Sequence, residues 1–261
     1  MENEEMKSPD VPETSGGASA QKTSGNQWSV PVAIIAAGII VALAIFYGGA
    51  ENSKQTPKVN APVAGQPTAG TPEQKEIVVK PISASDHVLG DVATADAIVV
   101  EYSDLECPFC KRFHSTMQQV VASYTGKVAW VYRHFPLDQL HSKARKEAEA
   151  TECAAELGGN EKFWAYTDRL MEVTPANNGL DLAELPKIAA YVGLDKAKFS
   201  ACLDSGKYAA AIQASVQDAM AAGAQGTPYS VVITKSGKKS VIPGALPLEQ
   251  VKGIIDAALA N

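Results

Sequence analysis

The sequence predicts an α/β domain that runs strand, helix, strand, helical insert, then strand, strand, helix, carried behind a single transmembrane helix and a flexible linker. Three observations predict this. Short apolar, β-branched runs flank one long helix-periodic stretch between residues 97 and 135; a stretch rich in Ala, Glu, Lys and Leu follows; and twenty uncharged residues stand ahead of a segment rich in Pro, Gly and Thr.

The 261 residues are 46% hydrophobic, enough for a substantial core. A net charge of −6, with no basic stripe or basic aromatic patch, argues against nucleic acid as a partner. No internal repeat is visible, which excludes a solenoid.

Residues 1–29 are rich in Glu, Ser, Gly and Thr, with almost no aliphatic side chains, and are expected to form a disordered leader. Residues 30–49, from Val30 to Gly49, carry no charge, and twenty helical residues match a bilayer core of roughly 30 Å. Trp28 and Tyr47 stand at the two ends, where interfacial aromatics are favoured. The competing reading is a cleaved signal peptide, because Gly48, Gly49 and Ala50 are small; the apolar length and the acidic leader favour an uncleaved signal anchor. The Lys count on either side, Lys22 against Lys54 and Lys58, does not orient it. Residues 50–74 read as a tether spanning roughly 25 to 30 Å if they behave as a flexible coil. Residues 75–261 form the folded domain.

Within that domain IVVK, residues 77–80, is a short strand candidate, and AIVVEYS (Ala97 to Ser103) has the composition of a buried strand. Phe109, Phe113, Met117, Val120, Val121 and Tyr124 recur at spacings of three and four, so Pro108 to Tyr124 is an amphipathic helix. Lys127 to Phe135 alternates as a strand and completes a βαβ unit. Residues 141–222 are punctuated at Gly158-Gly159, Pro175, Asn177-Asn178-Gly179, Gly193 and Ser205-Gly206, which describes several packed helices. YSVVIT (Tyr229 to Thr234), a Ser236-Gly237 turn and Lys239 to Ile242 form a hairpin; Pro247 to Ala260 closes the chain as a helix.

The chemistry gathers at ECPFC. Proline is suited to the first helical position, which puts Cys107 at the N-cap and Cys110 at the third helical residue. Groups at these two positions meet in space, so the sulfurs can touch. A thiolate at the N-cap faces unpaired N–H groups and the positive end of the helix dipole, which lower a cysteine pKa from about 8.5 toward roughly 3.5 to 7.5. Cys107 is therefore expected to be an exposed attacking thiolate, and Cys110 a more buried resolving thiol. Two other readings stand beside this one: a zinc site with His114 at i+4 from Cys110, which lacks a second cysteine or histidine pair, and a purely structural disulfide.

Glu101 falls on the strand before the site, where a charge is out of place. Buried, it would carry protons to and from Cys110; at a strand end it would only face water. Pro228 stands at the start of a strand that reads as internal, where proline is uncommon. A cis bond would turn the chain there and present the backbone of Thr227 to an extended peptide; a trans proline in a loop is the ordinary alternative.

SDLECPFCKRFH, YRHFPL, ATECAAELGGNEKFWAYTDRLM, KFSACLDSGKY, GAQGTPYSVVI and GALP, in this order, resemble the DsbA-like thioredoxin-fold proteins. The resemblance spans about Asp86 to Asn261. It implies a thioredoxin fold with a helical insertion and thiol–disulfide oxidoreductase activity outside the cytoplasm. Residue by residue it makes Cys107 the nucleophile, Cys110 the resolving cysteine, Pro228 a cis-proline facing them, Thr227 its neighbour, and Glu101 the buried acid. One position departs: DsbA itself has histidine where this chain has Phe109, a neutral ring that contributes no charge to thiolate stabilisation. Cys153 and Cys202 lie on apolar helix faces; they are buried free thiols or, in an oxidising compartment, a pair closing a loop of about 50 residues.

Taken together, the sequence describes an oxidase of cysteine pairs in exported polypeptides, with no cofactor beyond its own disulfide and no metal. The resemblance adds a quinone-linked membrane protein as reoxidant. The chain would be single-pass, with a cytoplasmic N-terminus and a periplasmic or extracellular domain. An isomerase or reductase kept reduced, and a tethered binding or scaffold module, are the alternatives.

Overall fold

The computed structural model describes residues 77–260. The predicted leader, anchor and tether lie outside them, and no helix among the described residues is long and apolar enough to cross a membrane. The elements run β1 (His87–Leu89), β2 (Ala97–Ser103), α1 (Pro108–Ser123), β3 (Val128–His134), α2 (Ala144–Val173), α3 (Leu185–Tyr191), α4 (Lys196–Ser205), α5 (Ala209–Ala221), β4 (Tyr229–Thr234), β5 (Lys239–Pro243) and α6 (Leu248–Leu259), with one 3-10 turn at Leu182–Glu184.

The strands form one sheet in the order β1-β3-β2-β4-β5. β2 and β3 are parallel, as the α1 crossover requires, and the other pairings are antiparallel. β2 lies at the centre, which explains the apolar run Ala97–Val100 and the burial of nearly every residue in the strand: both faces are covered. Alternation sorts its side chains. Val99 shares a face with Trp130, Phe113, Met117 and Phe163, beneath α1, α2 and α6; Val100 and Tyr102 share the other with Val131, Phe135 and Ala219 of α5. Each large side chain enclosed this way contributes roughly 1.5 to 3 kcal/mol.

One expectation is corrected. Residues 77–80 form no strand; side chains hold the segment instead, with Lys239 Nζ donating to the Ile77 carbonyl (2.7 Å) and Arg133 Nη1 to that of Lys80 (3.0 Å). The first strand is His87–Leu89, three residues long and too short to show a period. The punctuation at Gly158-Gly159 falls where two helical stretches meet. Within Ala144–Val173 the two join at a kink at Gly159, whose φ of 72° a side chain would oppose.

Candidate active site

The turn from β2 into α1 is organised by Asp104. Its Oδ1 accepts from the Glu106 N–H (2.8 Å), its Oδ2 accepts from the Leu137 N–H (2.7 Å) and meets His141 Nδ1 (2.9 Å), and its carbonyl accepts from the Cys107 N–H (3.1 Å). Cys107 then occupies the N-cap with extended backbone (φ −79°, ψ 121°), and Pro108 opens the helix. No side chain makes a capping hydrogen bond to α1, and the backbone N–H groups of Phe109 and Cys110 are near enough to the Cys107 sulfur to favour its thiolate.

Cys107 and Cys110 are free thiols. Cys110 is fully enclosed on the inner face of α1, where its sulfur accepts from the Asp104 N–H (3.5 Å). Cys107 is not the exposed group the sequence suggests: it is only 4% accessible and lies against the Thr227-Pro228 segment. That peptide bond is cis, and the Cys107 S–H donates to the Thr227 carbonyl (3.5 Å). Phe109, in contrast, projects outward at 55% exposure with the Arg112 guanidinium 5.4 Å from its ring centre.

The environment separates the two sulfurs chemically. The hydrogen bond from Cys110 is the largest influence on Cys107; against the cost of burial, it combines with the backbone N–H of Cys110, Thr227 and the backbone N–H of Phe109 to bring the thiol down to about 6. Burial pushes the Cys110 thiol well above its ordinary range, and its bond to Cys107 and the charges of Cys107 and Glu101 push it further.

Glu101 lies on the same face of the sheet as Cys110, opposite Tyr132 on one side and Ser230 on the other. It is fully buried, and burial raises its carboxyl to about 7; Ser103 and Trp130 oppose the shift, while Cys107 adds to it. Neither carboxyl oxygen has a partner at good hydrogen-bond geometry, so those two opposing contacts are loose ones. Cys107, Cys110, Glu101, Thr227 and Pro228 are thus brought together, and Phe109 borders them on the surface.

Asp104, Glu106, His141 and Glu147 adjoin this site without having been singled out in the sequence. Glu106 precedes Cys107 directly; its carbonyl accepts from the Asn177 N–H (2.7 Å) and its Oε2 from the Asn178 N–H. His114, the conceivable zinc partner of Cys110, is instead bound to Asp168 (2.6 Å). No group of three or more His, Cys, Asp or Glu among the described residues could hold a metal ion. Cys153 and Cys202 are joined by a disulfide that ties α2 to α4.

A helical insert between the parallel and antiparallel halves of such a sheet, with CxxC opening the first helix, is the arrangement of thiol–disulfide oxidoreductases on the thioredoxin-like fold. A family model described as thioredoxin matches residues 83–257, and the chain belongs to that family. The DsbA2 structure of Pseudomonas aeruginosa superposes with a TM-score of 0.57 at 29% identity, covering 68% of this chain and 96% of that one. A thioredoxin-like oxidoreductase from Silicibacter pomeroyi superposes equally well (0.57) at 27% identity, covering 69% and 95%. Among curated sequences, a protein named Na(+)/H(+) antiporter NhaA 3 from Salinispora tropica is 36% identical over 143 residues, 55% of this chain and 21% of that protein. The chain therefore spans about a fifth of that relative's length.

Proposed function

We propose that this chain is a membrane-anchored, outward-facing oxidase that converts cysteine pairs in exported polypeptides to disulfides through Cys107 and Cys110. The observation that carries the reading is the split between the two sulfurs: one at a helix N-cap with its thiol drawn down to about 6, the other enclosed behind it with its thiol raised.

In the oxidised protein a substrate thiolate attacks Cys107, the Cys107–Cys110 bond breaks, and Cys110 leaves. Burial disfavours a Cys110 thiolate, so it takes up a proton, and Glu101, near 7, is suited to supply it at neutral pH. A second substrate thiolate then attacks the substrate sulfur of the mixed disulfide, expelling Cys107 as a thiolate that is stable at that pH. Two electrons pass from the substrate dithiol to the protein. A quinone-linked membrane protein removes them by the reverse exchange. Thr227 and Pro228 offer backbone to an extended substrate, and Phe109 offers an apolar contact beside it. Val30 to Gly49 would hold the domain at the membrane, with the N-terminus inside. The antiporter relatives carry the name of a membrane transporter, in keeping with that setting; antiport itself is not carried over to this chain.

The test is oxidation of a reduced two-cysteine peptide by the full-length chain in detergent, with Cys107→Ala as the comparison. Loss of oxidation in the variant supports the reading. Oxidation unaffected by it would favour a tethered scaffold whose CxxC is structural.

A further inference from the structure

Behind the N-cap lies a second buried acidic arrangement, distinct from Glu101. Glu106 and Glu147 are both fully buried. Glu147 comes from the first turn of α2, and its carboxyl is in hydrogen-bonding contact with that of Glu106. As carboxylates, both Glu147 oxygens and Glu106 Oε1 would have no donor at all. The other Glu106 oxygen is taken by the Asn178 N–H. Two ionised carboxylates in contact without donors are not a stable arrangement, whereas one acid and one carboxylate complete each other through a single proton.

From this geometry we infer that Glu147 is a protonated positioning residue: its carboxylic acid donates to the Glu106 carboxylate and thereby locks the residue before Cys107 to the helical insert. Glu106 is the hub. Its carbonyl and carboxylate receive the N–H groups of Asn177 and Asn178, which with Ala176 form a run of three left-handed residues. The Asn178 side chain continues the link, its Oδ1 accepting from Lys143 N–H (3.3 Å) and its Nδ2 donating to the Leu140 carbonyl (2.8 Å). Burial, the contact with Glu106, and the charges of Glu106 and Asp104 all favour the acid form of Glu147, raising it to about 10, and only Lys143 opposes them. Tyr166 and His141 complete the titratable surroundings: burial raises the Tyr166 hydroxyl, which a charge on Glu147 would raise further, and His141 is engaged with Asp104. The pair then carries one negative charge, placed on Glu106.

The proposal rests on the functional reading only for the role of Cys107; the proton itself is tested independently. In the full-length chain, Glu147→Gln keeps a neutral donor of nearly the same shape. It should leave the Cys107 thiolate titration unchanged, whereas Glu106→Gln, which removes the charge, should lower it. Unfolding in urea supplies a second readout. An acid whose folded pKa exceeds its unfolded value costs stability as pH rises between the two. The folding constant of Glu147→Gln relative to the parent should therefore grow by up to about tenfold per pH unit above roughly pH 5. A pH-independent ratio, or a Cys107 titration lowered by Glu147→Gln, would show an ionised Glu147 and overturn the inference. Should the glutamine variant not fold, the parent decides alone: its infrared spectrum at pH 8.5, where Glu101 is ionised, must still contain a protonated carboxyl band, and its absence would overturn the inference equally.

Discussion

At the residue scale the central quantity is the difference between two sulfurs three positions apart. Reaction of the reduced chain with an alkylating reagent should follow a single titration at Cys107 with a midpoint near 6, and Cys110→Ala should raise that midpoint, because the Cys110 hydrogen bond is the largest cause of the shift. A midpoint near the free-thiol value of about 8.5 would contradict this. Glu101 gives a prediction with the opposite sign. Its carboxyl is raised from 4.5 to about 7, so the folded parent loses stability as pH rises through that interval. Glu101→Gln should match the parent near pH 4 and exceed it by about 3 kcal/mol at pH 8 by urea unfolding. The same variant should slow peptide oxidation at neutral pH by roughly 100-fold or more if Glu101 moves the Cys110 proton. Cys107, Cys110, Glu101 and Thr227-Pro228 stood out as candidates because each breaks a local rule: cysteines around a helix-opening proline, an acid in an apolar strand, a proline before an internal strand. Glu106 and Glu147 break none. An acid on a helix rich in Ala, Glu and Lys reads as solvated, and only tertiary packing buries it.

At the scale of elements, the apolar strands and the periodic α1 were readable because both faces of β2 and one face of α1 are buried. β1 was not, since three residues establish no alternation. The N-terminal segment is held by charge, which no periodicity reveals: Arg133, on β3, pairs with Asp86 (2.7 Å) and with Asp218 of α5 (2.7 Å), all three largely buried. Arg133→Ala would leave two enclosed carboxylates without a cation and should cost about 3 to 5 kcal/mol in urea unfolding. An effect below 1 kcal/mol would mean that the pairs are solvated. The Cys153–Cys202 bridge constrains the insert, and at a sequence separation of 49 its removal as Cys153→Ala/Cys202→Ala should cost about 4 kcal/mol, read in the same way.

At the scale of the whole molecule, the sheet order, the crossover and the insert place an N-cap dithiol against a cis-proline segment at one end of β2, and the family match over residues 83–257 agrees with that layout. The sequence order of elements exposed the β2–α1–β3 unit and the β4–β5 hairpin because those strands pack against their sequence neighbours, whereas the β1–β3 and β2–β4 pairings join strands distant in sequence and carry no local signal. The direction of electron flow is a different matter, since it depends on how far the reduced pair is stabilised, and Phe109 contributes no charge to that balance. The most direct test of the oxidase reading is therefore the reduction potential of the Cys107–Cys110 couple, measured by equilibration of the full-length chain with glutathione buffers. An oxidase should have a value between those of protein disulfide isomerase and DsbA, roughly −180 to −120 mV; a value near the −270 mV of a cytosolic reductant, about that of thioredoxin, would contradict the oxidase reading.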